Sequence, residues 1–95
     1  MEKIYKFRDE NFDLLDQFMP IVKRVHGQNH PEFFEVADIY DDIKAKIDKK
    51  DLNLDKEFKQ LKETTDDYKI PQDVCETYEK IYKDLESLNK LYQEK

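Results

Sequence analysis

Apolar residues recur along this chain at steps of three and four, the spacing of helices that bury one face. A first helix is expected over about Ile4 to His26, with Ile4, Phe7, Leu14, Phe18, Val22 and Val25 turned inward. Pro20 lies inside it. The ring removes one backbone hydrogen bond, so a kink near Asp16 is expected rather than a stop, because the apolar stripe continues past it. Gly27 then offers a C-terminal cap. A second helix is expected from Pro31, a favoured first position, with Glu32 in the first turn where acid suits the dipole. Its inward residues are Phe33, Val36, Tyr40, Ile43 and Ile47, and Lys44, Lys46, Lys49 and Lys50 gather near its end. A short third helix is expected over Leu54 to Asp67, with Asn53 as N-cap and Leu54, Phe58 and Leu61 inward. A fourth runs from Pro71 onward, with Val74, Tyr78, Ile81, Leu85, Leu88 and Tyr92 in an unbroken heptad seam.

The links Gly27–His30, Asp48–Asn53 and Tyr68–Ile70 are short, and short links place successive helices side by side and antiparallel. The expected architecture is therefore all-α: one domain over residues 1–95, an up-down-up-down four-helix bundle. Composition agrees. One glycine and three prolines leave little material for the turns of a β-rich fold. Charged residues make up 42% of the chain, yet the apolar positions are periodic and 13% of residues are aromatic, which is enough to build a core.

Charge narrows the function classes. Seventeen basic against 23 acidic residues give a net charge of −6, and no basic cluster exceeds Lys49–Lys50. A phosphate backbone would be repelled, so nucleic acid is not an expected partner. The longest uncharged run near the first proline, Phe18 to Val22, is far short of the roughly 20 residues of a membrane span. The opening MEKIYKFRDE lacks the apolar core of a signal peptide. One cysteine allows no internal disulfide and fits a reducing cytoplasm.

Candidate chemistry concentrates in few residues. His26 and His30 stand four apart, but Gly27 tends to end a helix between them and Pro31 pushes His30 out of the helical region. The two rings therefore need not share a face as an i, i+4 metal pair must. The plainer reading has His26 closing the first helix and His30 capping the second. Cys75 sits one residue off the seam of the fourth helix, with no His or Lys near in sequence to activate it, and reads as a small buried hydrophobe. The pairs Asp41–Asp42 and Asp66–Asp67 diverge by about 100° on a helix and read as solvated faces rather than ion ligands. No glycine-rich phosphate loop, Ser/His/Asp set or CxxC is present, so the chain does not read as an enzyme. Phe34, Ile39, Tyr82 and Leu91 fall outside the inward stripes. Either a wider apolar face buries them, or they form a patch for a protein partner or a homo-oligomer.

Two stretches, VHGQNHPE (residues 25–32) and TTDDYKIPQDVC (residues 64–75), carry a resemblance that extends over nearly the whole chain. The chain resembles the RIC proteins, hemerythrin-like di-iron proteins that repair stress-damaged iron–sulfur clusters. The resemblance implies a hemerythrin-like bundle, a link to iron and to nitrosative or oxidative stress, and iron as the associated metal. It places a family iron ligand on His26. The other ligand positions fall on Tyr5, on Lys46 and Lys50, and on or near Asp51; the last pair would lie about where the chain ends at Lys95. The family's cysteine-bearing N-terminal domain has no counterpart. An intact di-iron site is therefore not expected, since lysines oppose a charge that needs carboxylates and imidazoles to offset it. The expectation is a cytoplasmic RIC-like protein that acts by binding. The alternatives are a metal-free helical interaction module or homodimer, and a metal site shared between chains through His26 and His30.

Overall fold

The computed structural model describes residues 2–94, so Met1 and Lys95 of the expected domain lie outside the described residues. It is all-helical: α1 spans Glu2–His26, α2 Glu32–Asp48, α3 Asp55–Thr64 and α4 Glu76–Gln93. α1 packs along α4 and α2, and α2 along α3. Side chains show how the ends meet. Lys3 near the start of α1 pairs with Glu94 just past α4, while His26 at its end touches Cys75 just before α4. Arg8 binds Asp48 at the end of α2 through two hydrogen bonds, at 2.7 and 3.2 Å. Tyr92 of α4 accepts from the Leu54 amide and donates to Asp55, closing the start of α3. No helix among the described residues is long and apolar enough to cross a membrane.

The expected stripe of α2 is buried throughout, as is that of α4 apart from the half-buried Val74. α1 departs from expectation. Its core residues are Ile4, Phe12, Leu15, Met19 and Val22, whereas Leu14 and Val25 are exposed and Phe7 and Phe18 are half-buried. Two apolar stripes run one residue step apart on this helix, and the core takes the one centred on Leu15. α1 continues without interruption through Pro20.

The turns also differ. Gly27 does not take the left-handed conformation of an ordinary helix cap. It is required by crowding: a Cβ there would stand 2.3 Å from the Lys23 carbonyl oxygen and 2.6 Å from the Phe34 ring. The N-cap of α3 is Leu54, not Asn53, and no side chain caps it. Instead the Tyr92 hydroxyl reaches across from α4. α3 stops at Thr64 because Asp66, Asp67 and Tyr68 are all left-handed, with φ of 54°, 61° and 62°. The Thr65 hydroxyl stabilises this reversal, donating to the Leu61 carbonyl and accepting from the Tyr68 amide, each at 2.8 Å. Asp66 and Asp67 are thus turn residues rather than one face of a helix. α4 starts at Glu76, five residues later than Pro71, because Cys75 is extended and Asp73 is held elsewhere.

Candidate functional site at the motif-bearing end of the bundle

Residues 25–32 form the end of α1, the turn and the start of α2; residues 64–75 form the passage from α3 to α4. The fold brings these two stretches together at one end of the molecule. His26 Nε2 lies 3.3 Å from Cys75 Sγ, across 49 residues of sequence. His30 Nε2 lies 2.8 Å from the Asp73 carboxylate, and its Nδ1 lies 2.9 Å from that of Glu32. Both imidazoles stand edge-on to the ring of Tyr78, with centroids 5.6 and 5.7 Å away. Tyr78 is fully buried, packs on Phe33 and shares a 2.9 Å hydrogen bond with the Tyr82 hydroxyl. Burial first, then that shared bond, pushes the Tyr78 hydroxyl well above the usual phenol range. Its ring is a neutral platform for the two histidines.

The two imidazoles have different chemistry. Each ring nitrogen of His30 faces a carboxylate, an arrangement that favours the protonated ring, which donates to both. Burial works against that charge, but the bonds to Asp73 and Glu32 outweigh it and leave the His30 pKa raised. Asp73 answers in the opposite direction: the hydrogen bond from His30 holds its pKa below the ordinary carboxylate value. His30 is therefore a clamp joining the α1–α2 turn to the segment before α4. Both of its ring nitrogens are engaged by carboxylates.

His26 is half-buried and keeps its Nε2 for the thiol. With the ring proton on Nδ1, the Cys75 S–H donates to Nε2. Cys75 is exposed and occupies the N-cap of α4. The expectation of a buried cysteine is corrected: Cys75 is exposed, and a histidine distant in sequence is adjacent to it in space. No sequence pattern marks Asp73 or the His26–Cys75 approach. The sole hint is that both fall inside the stretches that carry the RIC resemblance.

The remaining candidates disperse. Tyr5 and His26 lie at opposite ends of α1, about 32 Å apart at about 1.5 Å per residue, and cannot serve one metal pair. The Lys50 ammonium sits 4.4 Å over the Tyr5 ring. Lys46 pairs with the buried Glu57 at 3.0 Å, and Asp51 turns back to accept from the Asn53 amide. Among the described residues no three His, Cys, Asp or Glu side chains are grouped to hold a metal ion, so the residues present do not fit a di-iron centre. Of the four aromatic and aliphatic candidates for a docking patch, Ile39 and Tyr82 are core residues at 4% and 2% exposure. Leu91 is half-buried against the core, and only Phe34 is exposed, with the Lys23 ammonium 5.8 Å from its ring centroid. They do not form one surface. In comparisons with known families, proteins and solved structures, the chain matched none.

Proposed function

We propose that this chain is a short RIC-like protein that acts by binding, in the cell's response to iron or to nitrosative and oxidative stress, without a di-iron centre of its own. The observation that supports this reading is the convergence of the two resemblance-bearing stretches. Residues 25–32 and 64–75 are joined side chain to side chain through His26–Cys75 and His30–Asp73. The working group is the exposed thiol of Cys75 with His26 beside it, presented on a platform that the His30 clamp and Tyr78 hold in place. A thiol and an imidazole supply two soft or borderline donors, too few to hold an ion alone and suited to sharing one with donors of a partner.

Anaerobic loading with ferrous iron, followed by gel filtration and metal analysis, tests the proposal on the wild type, His26→Ala and Cys75→Ser. All three are expected to retain well below one iron per chain. Two irons per chain, lost on His26→Ala, would show a conventional centre and overturn the reading.

A further inference from the structure

The stripe of α1 that the core leaves out has its own order. Leu14, Phe18, Ile21 and Val25 follow steps of four, three and four, the spacing of a coiled-coil seam. Leu14, Ile21 and Val25 are 40%, 44% and 59% exposed, and Phe18 is half-buried. With Phe7 and Asn11 the seam covers about three heptads. Along its outer edge, one heptad apart, stand Glu10, Gln17 and Arg24, all exposed. Among the described residues neither Glu10 nor Arg24 makes an ion pair within the chain. The opposite edge of the seam adjoins Leu15 and Val22, which belong to the core. Only the edge carrying Glu10, Gln17 and Arg24 is open to a partner.

From this geometry we infer that α1 pairs with α1 of a second copy of the chain, antiparallel, about a two-fold axis at Gln17. In an antiparallel pair of helices the outer-edge positions of one seam face the same edge of the other. A two-fold at Gln17 sets Glu10 against the partner's Arg24, and Arg24 against the partner's Glu10, while Gln17 meets its own copy. The same register packs Phe18 against Leu14 and Val25 against Phe7, so each exposed apolar residue but Ile21, which meets Asn11, finds an apolar partner. Sliding the helices by one heptad in one direction brings Lys3 against Arg24 and leaves Glu10 facing Gln17. Sliding them the other way separates Glu10 from Arg24. Charge complementarity therefore selects both the occupant, a copy of the same sequence, and the register. One helix pair of this length covers less than the roughly 800 Å² per partner of a standard stable interface, so the dimer is a weak one.

Sedimentation equilibrium over a range from about 10 μM to about 1 mM, spanning weak association, tests this at low salt. The wild type is expected to move from monomer to dimer across that range. Glu10→Arg and Arg24→Glu each set like charges face to face and are expected to weaken the dimer about tenfold. The double variant Glu10→Arg/Arg24→Glu restores the pairing and the wild-type curve. Both positions are on the surface, and matching melting curves confirm that the fold is unchanged. Joining of Gln17→Cys, in a Cys75→Ser background, by a short bis-maleimide at concentrations where a Gln60→Cys control stays monomeric reports the axis directly. A wild type that stays monomeric at the highest concentration overturns the inference. So does a dimer indifferent to the single reversals or not recovered by the double exchange.

Discussion

At the scale of single residues, His30 is the group whose protonation the fold uses most. Its ring bridges Glu32 and Asp73, and its pKa is raised above the ordinary 6.5 despite the opposing effect of burial. A cation favoured more in the folded state than in the unfolded one adds stability that is complete below the unfolded pKa. That stability is lost as pH rises through the folded value. Asp73 has the opposite sign. Its pKa lies below the ordinary 3.8, so its contribution holds above that value and is lost as pH falls through the folded one. The clamp is therefore at full strength between about pH 4 and about pH 6.5. The melting temperature of the wild type is expected to drop by a few degrees between pH 6 and pH 8. In His30→Ala, measured over the same series, the starting value is lower and most of that slope is gone. An unchanged slope in the variant would assign the pH dependence to other groups.

At the scale of elements, the turn between α3 and α4 holds three of the four left-handed non-glycine residues among the described residues. Three successive left-handed residues without glycine each forgo about 1 kcal/mol relative to an unstrained backbone. Tyr68 is held in place by burial and by the hydrogen bond that Asn89 donates to its hydroxyl, whose pKa burial pushes up to about 12. Asp67 has no such anchor: it is exposed, and its nearest cation, Lys62, is 4.0 Å away. Asp67→Gly is accordingly expected to stabilise the chain by about 0.5–1 kcal/mol, read from urea unfolding, whereas Tyr68→Gly destabilises it. This turn also marks what could be read from the chain in advance. α2 was legible because its apolar residues make a single stripe. On α1, Phe7, Leu14, Phe18 and Val25 form a second stripe as regular as the one the core takes, and period alone does not rank them. The ends of α3 and α4 depend on Thr65, Tyr92 and Asp73 contacting residues elsewhere in the chain. The His26–Cys75 pair was invisible for the same reason, since its members are 49 residues apart.

At the scale of the whole molecule, the helices are unequally secured. α1 lies along both α2 and α4, whereas α3, with 10 residues, packs mainly on α2. An open cleft lined by Lys59, Lys62, Glu86 and Lys90 separates its outer side from α4. A helix this short has no stability of its own in water and depends on its tertiary contacts. Those contacts are Leu54, Phe58 and Leu61 in the core, the Glu57–Lys46 pair and the Tyr92 hydroxyl at its start. α3 is therefore expected to be the first part of the bundle to open, by a local rather than a global transition. In native-state hydrogen exchange, the amides of Phe58 and Leu61 are expected to exchange faster than those of Leu15 and Leu85 in α1 and α4. Removing the hydroxyl that both accepts from Leu54 and donates to Asp55 sharpens that difference. Tyr92→Phe is expected to speed exchange in α3 by about fivefold to tenfold, the effect of about 1 kcal/mol for a net hydrogen bond. Exchange at Leu15 is expected to change by no more than the drop in global stability. Equal acceleration throughout the chain would instead mean that the four helices open as one unit and that α3 has no separate transition.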